Sequence, residues 1–239
     1  MEHREMLWLG GPSFLYTDDV FKPSTDSFLL GSFARPRPGS QVCDLGCGSG
    51  LLGLLLFARQ PQLRLCNVEI QEEALALAQR NLAENGFSSF CSFYHADLRQ
   101  REQLPPAGRF DYIIANPPYF ASGSGPSASA HPRRTARESG CTLDELCAAA
   151  QYLLHFGGCF SLVFRPERMA ELFSALLKKQ LQPKRMCFVQ HRSQAAPSLI
   201  LVEARYGGKP GLQIDPPWIL FQENGMPTPL YQSIYFREE

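Results

Sequence analysis

The run Asp44-Leu45-Gly46-Cys47-Gly48-Ser49-Gly50 constrains this chain more than any other feature. It stands between an apolar stretch that reads as a strand, residues 41–45, and one that reads as a helix, residues 51–59. Glycine lets a backbone approach a ligand closely and adopt φ values that other residues avoid. A strand-to-helix turn of this kind lies at the carboxyl end of its strand, where open α/β sheets bind their ligands. The stretch Gly48-Ser49-Gly50-Leu51-Leu52-Gly53 also fits the GxGxxG of dinucleotide sites. The loop alone therefore suits a nicotinamide dinucleotide or S-adenosylmethionine, and a tight turn without a ligand is the plain alternative.

The pattern around the loop repeats. Strands are expected at 63–68, 91–95, 110–115, 160–164, 186–190 and 199–205, and helices at 72–84 and 167–179. Asn85-Gly86 stops the first of these helices. Another helix opens at Thr142, an N-cap with Glu145 three residues on. Strand and helix in alternation imply a mostly parallel sheet covered on both faces. The last two strands have no convincing helix between them, so they are expected to pair antiparallel. Hydrophobic residues make up 44% of the 239, enough for a packed core. Residues 40–206 carry this rhythm. Residues 1–39 read as a turn-rich N-terminal extension over the ligand site, and residues 207–239 as a C-terminal extension packed on the same domain.

Two further carboxylates bear on the ligand. Glu69 ends the second strand, where it can accept both hydroxyls of a ribose, with Ile70 beside it. Asp97 ends the third strand and can accept from an adenine amino group, with Leu98 next to it. Asp44 decides between the candidates. A carboxylate ahead of the first glycine would repel a pyrophosphate but suits the methionyl ammonium of S-adenosylmethionine, directly or through water. S-adenosylmethionine is the expected cofactor, contacting Asp44, Gly46, Gly48, Gly50, Glu69, Ile70, Asp97 and Leu98.

The strand at 110–115 runs into Asn116-Pro117-Pro118-Tyr119. Two prolines fix two φ values and remove two backbone donors, and they push Asn116 into extended geometry. The result is a stiff corner that can hold a planar amino group. The Asn116 side-chain oxygen and the Pro117 carbonyl can accept its two hydrogens. Tyr119 can stack on its plane, worth about 1–3 kcal/mol for a base. Asn116, Pro117 and Tyr119 are thus the expected catalytic residues, with Asn116 also touching the cofactor.

Together, Asp44 to Gly50, Glu69, Asp97 and Asn116 to Tyr119 resemble the class I S-adenosylmethionine-dependent methyltransferases of amino groups. The resemblance implies a Rossmann-like sheet of seven strands, mostly parallel with an antiparallel last strand. That corner is shared by DNA and RNA adenine methylases, some guanine methylases of ribosomal RNA, and protein-glutamine methylases. Thr25-Asp26-Ser27-Phe28-Leu29-Leu30-Gly31 further resembles a segment of the bacterial tRNA1(Val) (adenine(37)-N6)-methyltransferase family, as does 136–143. That likeness implies that Thr25 and Asp26 meet the methionine end of the cofactor. It implies in-line N6-methylation of an adenosine in tRNA, adenosine-37 beside the anticodon. Protein N5-glutamine methylation, or methylation of rRNA or DNA amino groups, is the alternative. Size favours a small RNA enzyme, since the resemblance implies a helical domain ahead of the catalytic one for the protein-glutamine methylases and a target-recognition region for the DNA adenine methylases.

Lys plus Arg and Asp plus Glu are both 23, a formal net charge of +0, which excludes a strongly basic nucleic-acid coat protein. Local clusters remain. Arg133, Arg134 and Arg137 follow a Ser/Gly/Ala-rich stretch, 121–130, that reads as a mobile substrate lid. Lys178, Lys179, Lys184 and Arg185 lie in a stretch without carboxylates. Both clusters are expected to track RNA phosphates. The 8 cysteines show no zinc-ligand spacing and read as buried hydrophobes in a reduced cytoplasm, so no metal is expected. No apolar run is long enough to span a bilayer, and the expected form is a cytoplasmic monomer or weak dimer.

Overall fold

The computed structural model describes residues 1–18, 24–117 and 141–236. Tyr119, Arg133, Arg134, Arg137 and the 121–130 stretch lie outside them. Eleven strands and six helices are described: β1 (Glu2–Met6), β2 (Ser13–Thr17), α1 (Thr25–Phe33), β3 (Gln41–Leu45), α2 (Leu51–Arg59), β4 (Arg64–Glu69), α3 (Glu72–Glu84), β5 (Cys91–His95), β6 (Phe110–Ala115), α4 (Leu143–Leu153), β7 (Leu154–Phe164), α5 (Met169–Lys178), β8 (Leu181–Gln190), β9 (Pro197–Tyr206), β10 (Gln213–Ile214), β11 (Trp218–Ile219) and α6 (Pro229–Ile234).

The main sheet has the order β10-β8-β9-β7-β6-β3-β4-β5, with β11 also on β8. β3 to β7 pair parallel. β9 lies antiparallel between β7 and β8, as the missing crossover helix predicts. β10 and β11 pair parallel with β8 and widen the seven-stranded sheet at one edge.

Strand alternation divides the core in two. Cys43, Leu45, Cys66, Val68, Ile113 and Ala115 face α4 and α5. Val42, Leu65, Tyr112 and Ile114 face α1 and α2. α2 is apolar almost all round because the sheet is on one side and α1 on the other. α4 begins with the capping box the spacing predicts: Glu145 N–H donates to Thr142 Oγ1 at 3.2 Å, and Thr142 N–H donates to Glu145 Oε2 at 2.6 Å.

Residues 1–39 differ from the turn-rich reading. Their described residues include the β1/β2 hairpin and α1. The hairpin is fastened by Asn81 of α3, which is fully buried. Its Nδ2 donates to the Leu15 and Ser49 carbonyls, both at 2.9 Å, and its Oδ1 accepts the Leu15 N–H at 2.7 Å. One amide thereby ties β2, α3 and the glycine loop together.

A second polar knot lies under the far end of α1. Tyr112 Oη donates to Glu203 Oε2 at 2.7 Å and lies 2.6 Å from Ser161 Oγ. Arg185, expected on the RNA surface, is buried in this knot. Its guanidinium stacks on Phe33, donates to the Phe33 carbonyl, and sits 3.7 Å from Glu203 and 3.9 Å from Asp215. Its alternation with Cys187 and Val189 turns it toward α1 rather than toward solvent.

Candidate active site

Two rules of strand geometry assemble the site. β3, β4, β5 and β6 are parallel, so Asp44, Glu69, Asp97 and Asn116 all lie toward one end of the sheet, at or just past the carboxyl ends of their strands. The same alternation that turns Val42, Leu65, Tyr112 and Ile114 toward α1 and α2 gives Asp44, Glu69 and Asn116 that parity. β3 and β6 are neighbours, with Asp44 across from Ile114. The glycine loop and the Asn-Pro corner therefore stand side by side.

Asp44 is the most unusual group there. It is 0% exposed and neither carboxylate oxygen has a hydrogen-bond partner. Burial, reinforced by the neighbouring Glu69 and Cys66, pushes it up to about 8 from 3.8. A buried acid without a partner is costly unless a cation or donor arrives. An ammonium group beside the loop would supply both.

The loop is shaped by its glycines. Gly48 has φ +53°, and a Cβ there would meet nothing within 4 Å, so that side is open. Gly50 has φ +81° and packs so closely on Ala78 that a Cβ would lie 3.1 Å from its Cα. The first position needs the backbone conformation alone; the second needs the space as well. Gly46 and Cys47 donate to the Val68 carbonyl at 2.8 and 3.1 Å, which holds the loop over β4.

Glu69 and Asp97 have other partners besides those expected of them. Glu69 Oε2 accepts the Gly48 N–H at 2.9 Å, while Oε1 accepts the N–H groups of Ile70 and Gln71 at 2.9 and 3.0 Å. Its first task is thus to set the loop, leaving room at Oε2 for a hydroxyl. Asp97 is clasped by Arg99, Nε to Oδ1 at 2.9 Å and Nη2 to Oδ2 at 2.6 Å, and this holds its carboxyl below the usual range. A cleft of about 310 Å³ opens between β4 and β5, lined by Ile70, His95, Ala96, Asp97, Gln100 and Gln103. A cleft of that size matches the small end of ligand sites. The orphaned acid, the open face of the loop and the cleft fit an ammonium, a backbone-hugging chain and a base in that order.

Asn116 is half-buried and Pro117 buried. Thr25 is exposed and Asp26 half-buried in the first turn of α1, and the residue of that segment that touches the corner is Ser27. Asn116 Nδ2 donates to Ser27 Oγ at 3.0 Å. Sequence reading passed over Ser27 and Asn81; the Ser24–Ser27 cap spacing was the available signal for the first. Lys178 pairs with Asp144 at 3.3 Å, and Lys184 donates to the Lys209 carbonyl. Lys178 ends α5, Lys179 follows it, and Lys184 lies near the start of β8, which runs parallel to β7. They lie at the end of the sheet opposite Asn116.

A sheet with this strand order, the glycine loop at its centre and an Asn-Pro corner beside it is the class I S-adenosylmethionine-dependent methyltransferase fold. The family model for the methyltransferase small domain matches residues 17–186, and the chain belongs to that family. Among curated relatives, the tRNA1(Val) (adenine(37)-N6)-methyltransferase of Shewanella sp. strain MR-4 is 34% identical over 155 residues, 64% of each chain. The enzyme of the same name from Photobacterium profundum is 31% identical over 183 residues, 75% of each. The chain thus spans 64% of the first of these relatives. Among solved structures, a predicted O-methyltransferase, Atu636 from Agrobacterium tumefaciens, superposes with a TM-score of 0.74 at 22% identity, covering 89% of this chain and 96% of its own. Among the described residues no helix is long and apolar enough to cross a membrane, and no cluster of metal-ligating side chains occurs.

Proposed function

We propose that the chain is a cytoplasmic S-adenosylmethionine-dependent N-methyltransferase acting on the exocyclic N6 amine of an adenosine in tRNA, adenosine-37 beside the anticodon. The observation that carries the reading is the Asn116-Pro117 corner beside a buried, unpartnered Asp44. One holds an amine and the other welcomes a cation. The names of the relatives support the tRNA substrate.

When bound, S-adenosylmethionine supplies an electrophilic methyl group. Asp44 would hold its ammonium, Gly46 to Gly50 its methionyl chain, Glu69 its ribose, and the cleft beside Ile70, Asp97 and Leu98 its adenine. The chain's own task at the acceptor is positioning. The Asn116 Oδ1 and the Pro117 carbonyl accept the two amine hydrogens, so the nitrogen lone pair is left free and turned away from both. With its hydrogens held, the nitrogen moves toward tetrahedral geometry. The sequence Asn116-Pro117-Pro118-Tyr119 carries no strong base, so orientation and fixed dipoles supply the acceleration. The target base must leave its stack to reach the corner, as for other enzymes that modify bases.

Purified protein incubated with methyl-labelled S-adenosylmethionine and, separately, unmodified tRNA, rRNA, DNA and a protein extract tests this. N6-methyladenosine at position 37 of tRNA is the expected product. Methylglutamine in protein, or label in rRNA or DNA alone, overturns the tRNA reading.

A further inference from the structure

We propose that Ser27 is a positioning residue for this reaction: it fixes which end of the Asn116 amide faces the acceptor amine. The proposal rests on Asn116 being the group that accepts from that amine. A side-chain amide has two ends of nearly the same shape, and only the oxygen can accept. Presented with its NH2 outward, Asn116 would oppose donor to donor and the corner would reject its substrate.

The polarity is set two steps away. Ser24 is the N-cap of α1, and its Oγ accepts the Ser27 N–H at 3.4 Å. The Ser27 Oγ lies 3.2 Å from the same Ser24 Oγ. Either hydroxyl of that pair can be the donor; when Ser27 donates to Ser24, its lone pairs are left for Asn116. The Asn116 Nδ2 uses one, at 3.0 Å. The amide oxygen is then turned away from α1. Ser27 is 7% exposed, so water is poorly placed to substitute for it. α1 itself is held at both ends of its packed face: Phe28 stacks on Tyr235 with centroids 4.7 Å apart, and Arg185 grips the Phe33 carbonyl. A residue of the helix cap thereby orients an amide just past the end of a strand, 89 residues further along the chain.

The test uses the full chain with four variants: Ser27→Ala, Ser27→Thr, Asn116→Ala and the double Ser27→Ala/Asn116→Ala. Methyl transfer to tRNA gives kcat and KM, and titration gives the S-adenosylmethionine Kd. Misorientation of a catalytic group costs up to about 100-fold, so Ser27→Ala should lower kcat by about 10- to 100-fold. KM and Kd should stay within about twofold, because the loss falls on the reacting geometry. Ser27→Thr, which keeps the hydroxyl, should recover most of the rate. The double variant should be no slower than Asn116→Ala alone. An independent readout is the side-chain NH2 pair of Asn116 in asparagine-15N spectra, assigned by its loss in Asn116→Ala. In Ser27→Ala it should shift and exchange faster with water. An unchanged kcat in Ser27→Ala, an additive loss in the double variant, or an unmoved NH2 pair overturns the proposal. A wild-type protein that methylates no tRNA overturns the substrate reading instead, and the NH2 pair then decides the Ser27 contact by itself.

Discussion

Replacing Asp44 by Asn should make the ligand-free protein more stable and the cofactor-binding protein worse. The folded carboxyl is held up to about 8, against 3.8 outside the fold. Between those values the folded chain keeps a proton that the unfolded chain has released, so stability falls as pH rises through that window. At pH 7 the interval from 3.8 corresponds to about 4 kcal/mol at 1.36 kcal/mol per pH unit. The substituted amide has its own cost of burial, about 1–3 kcal/mol. A net gain of about 1–3 kcal/mol remains, or a Tm rise of a few degrees for a chain of this size. Thermal melts from pH 4 to 9 measure it: the variant's advantage should be absent near pH 4, grow with pH, and level off above about 8. Added S-adenosylmethionine should reverse the order. Its ammonium favours the ionised acid in the wild type, which then binds with release of a proton, detectable by calorimetry in buffers of different ionisation enthalpy. The variant forgoes a charge-assisted contact of about 1.5–3 kcal/mol, or roughly 10- to 150-fold in Kd. A variant less stable than wild type at pH 8, or one with an undiminished cofactor-induced Tm shift, would refute this account of Asp44.

Three other outcomes follow from the geometry. Asn116→Ala should lower kcat by about 100-fold or more while calorimetry shows an almost unchanged S-adenosylmethionine Kd; equal loss of both would make Asn116 structural. Asn81→Leu strands the Leu15 N–H and the Leu15 and Ser49 carbonyls. It should cost about 2–4 kcal/mol of stability by denaturant titration, with faster hydrogen exchange at Leu15. Arg185→Met leaves the half-buried Glu203 and Asp215 without their cation and should cost about 1–3 kcal/mol. Adding Glu203→Gln to it should return part of that loss, and no return would show that the guanidinium acts only by stacking on Phe33.

The parts of the fold that were legible in the sequence are those where local signals agree. Helix 72–84 was bounded to the residue because an amphipathic pattern meets a clear stop at Asn85-Gly86. Loop and strand around Asp44 were plain because glycine spacing and an apolar run coincide. The β1/β2 hairpin was missed because four of the five β1 residues are exposed and its pairing depends on Asn81, far away in sequence. β8 begins at Leu181, ahead of the expected 186, because Pro183 reads as a break but fits the edge of a sheet. Arg185 was misplaced for the same reason: without the strand extended back to 181, its inward parity could not be seen. In the site, the residue types at strand ends were readable, whereas the Ser27 partner of Asn116 is set by tertiary approach from 89 residues away, and the Arg99 clasp on Asp97, two residues off, by the local turn and rotamer.

The placement of β10 and β11 has a consequence for how this protein behaves at high concentration. β8 is the outermost long strand of the sheet, and a strand in that position offers a row of open amides and carbonyls to any passing chain. Its first half is blunted by Pro183, which has no amide to offer. Its second half, carrying Met186, Cys187 and Val189, would be the adhesive part. β10 takes up Arg185 and Met186, and β11 takes up Val189 and Gln190. The segment after residue 207 thus serves as a sacrificial partner that keeps a large sheet from stacking edge to edge with its own copies. Substitutions that detach β10 and β11 should therefore show first as aggregation, measured by light scattering.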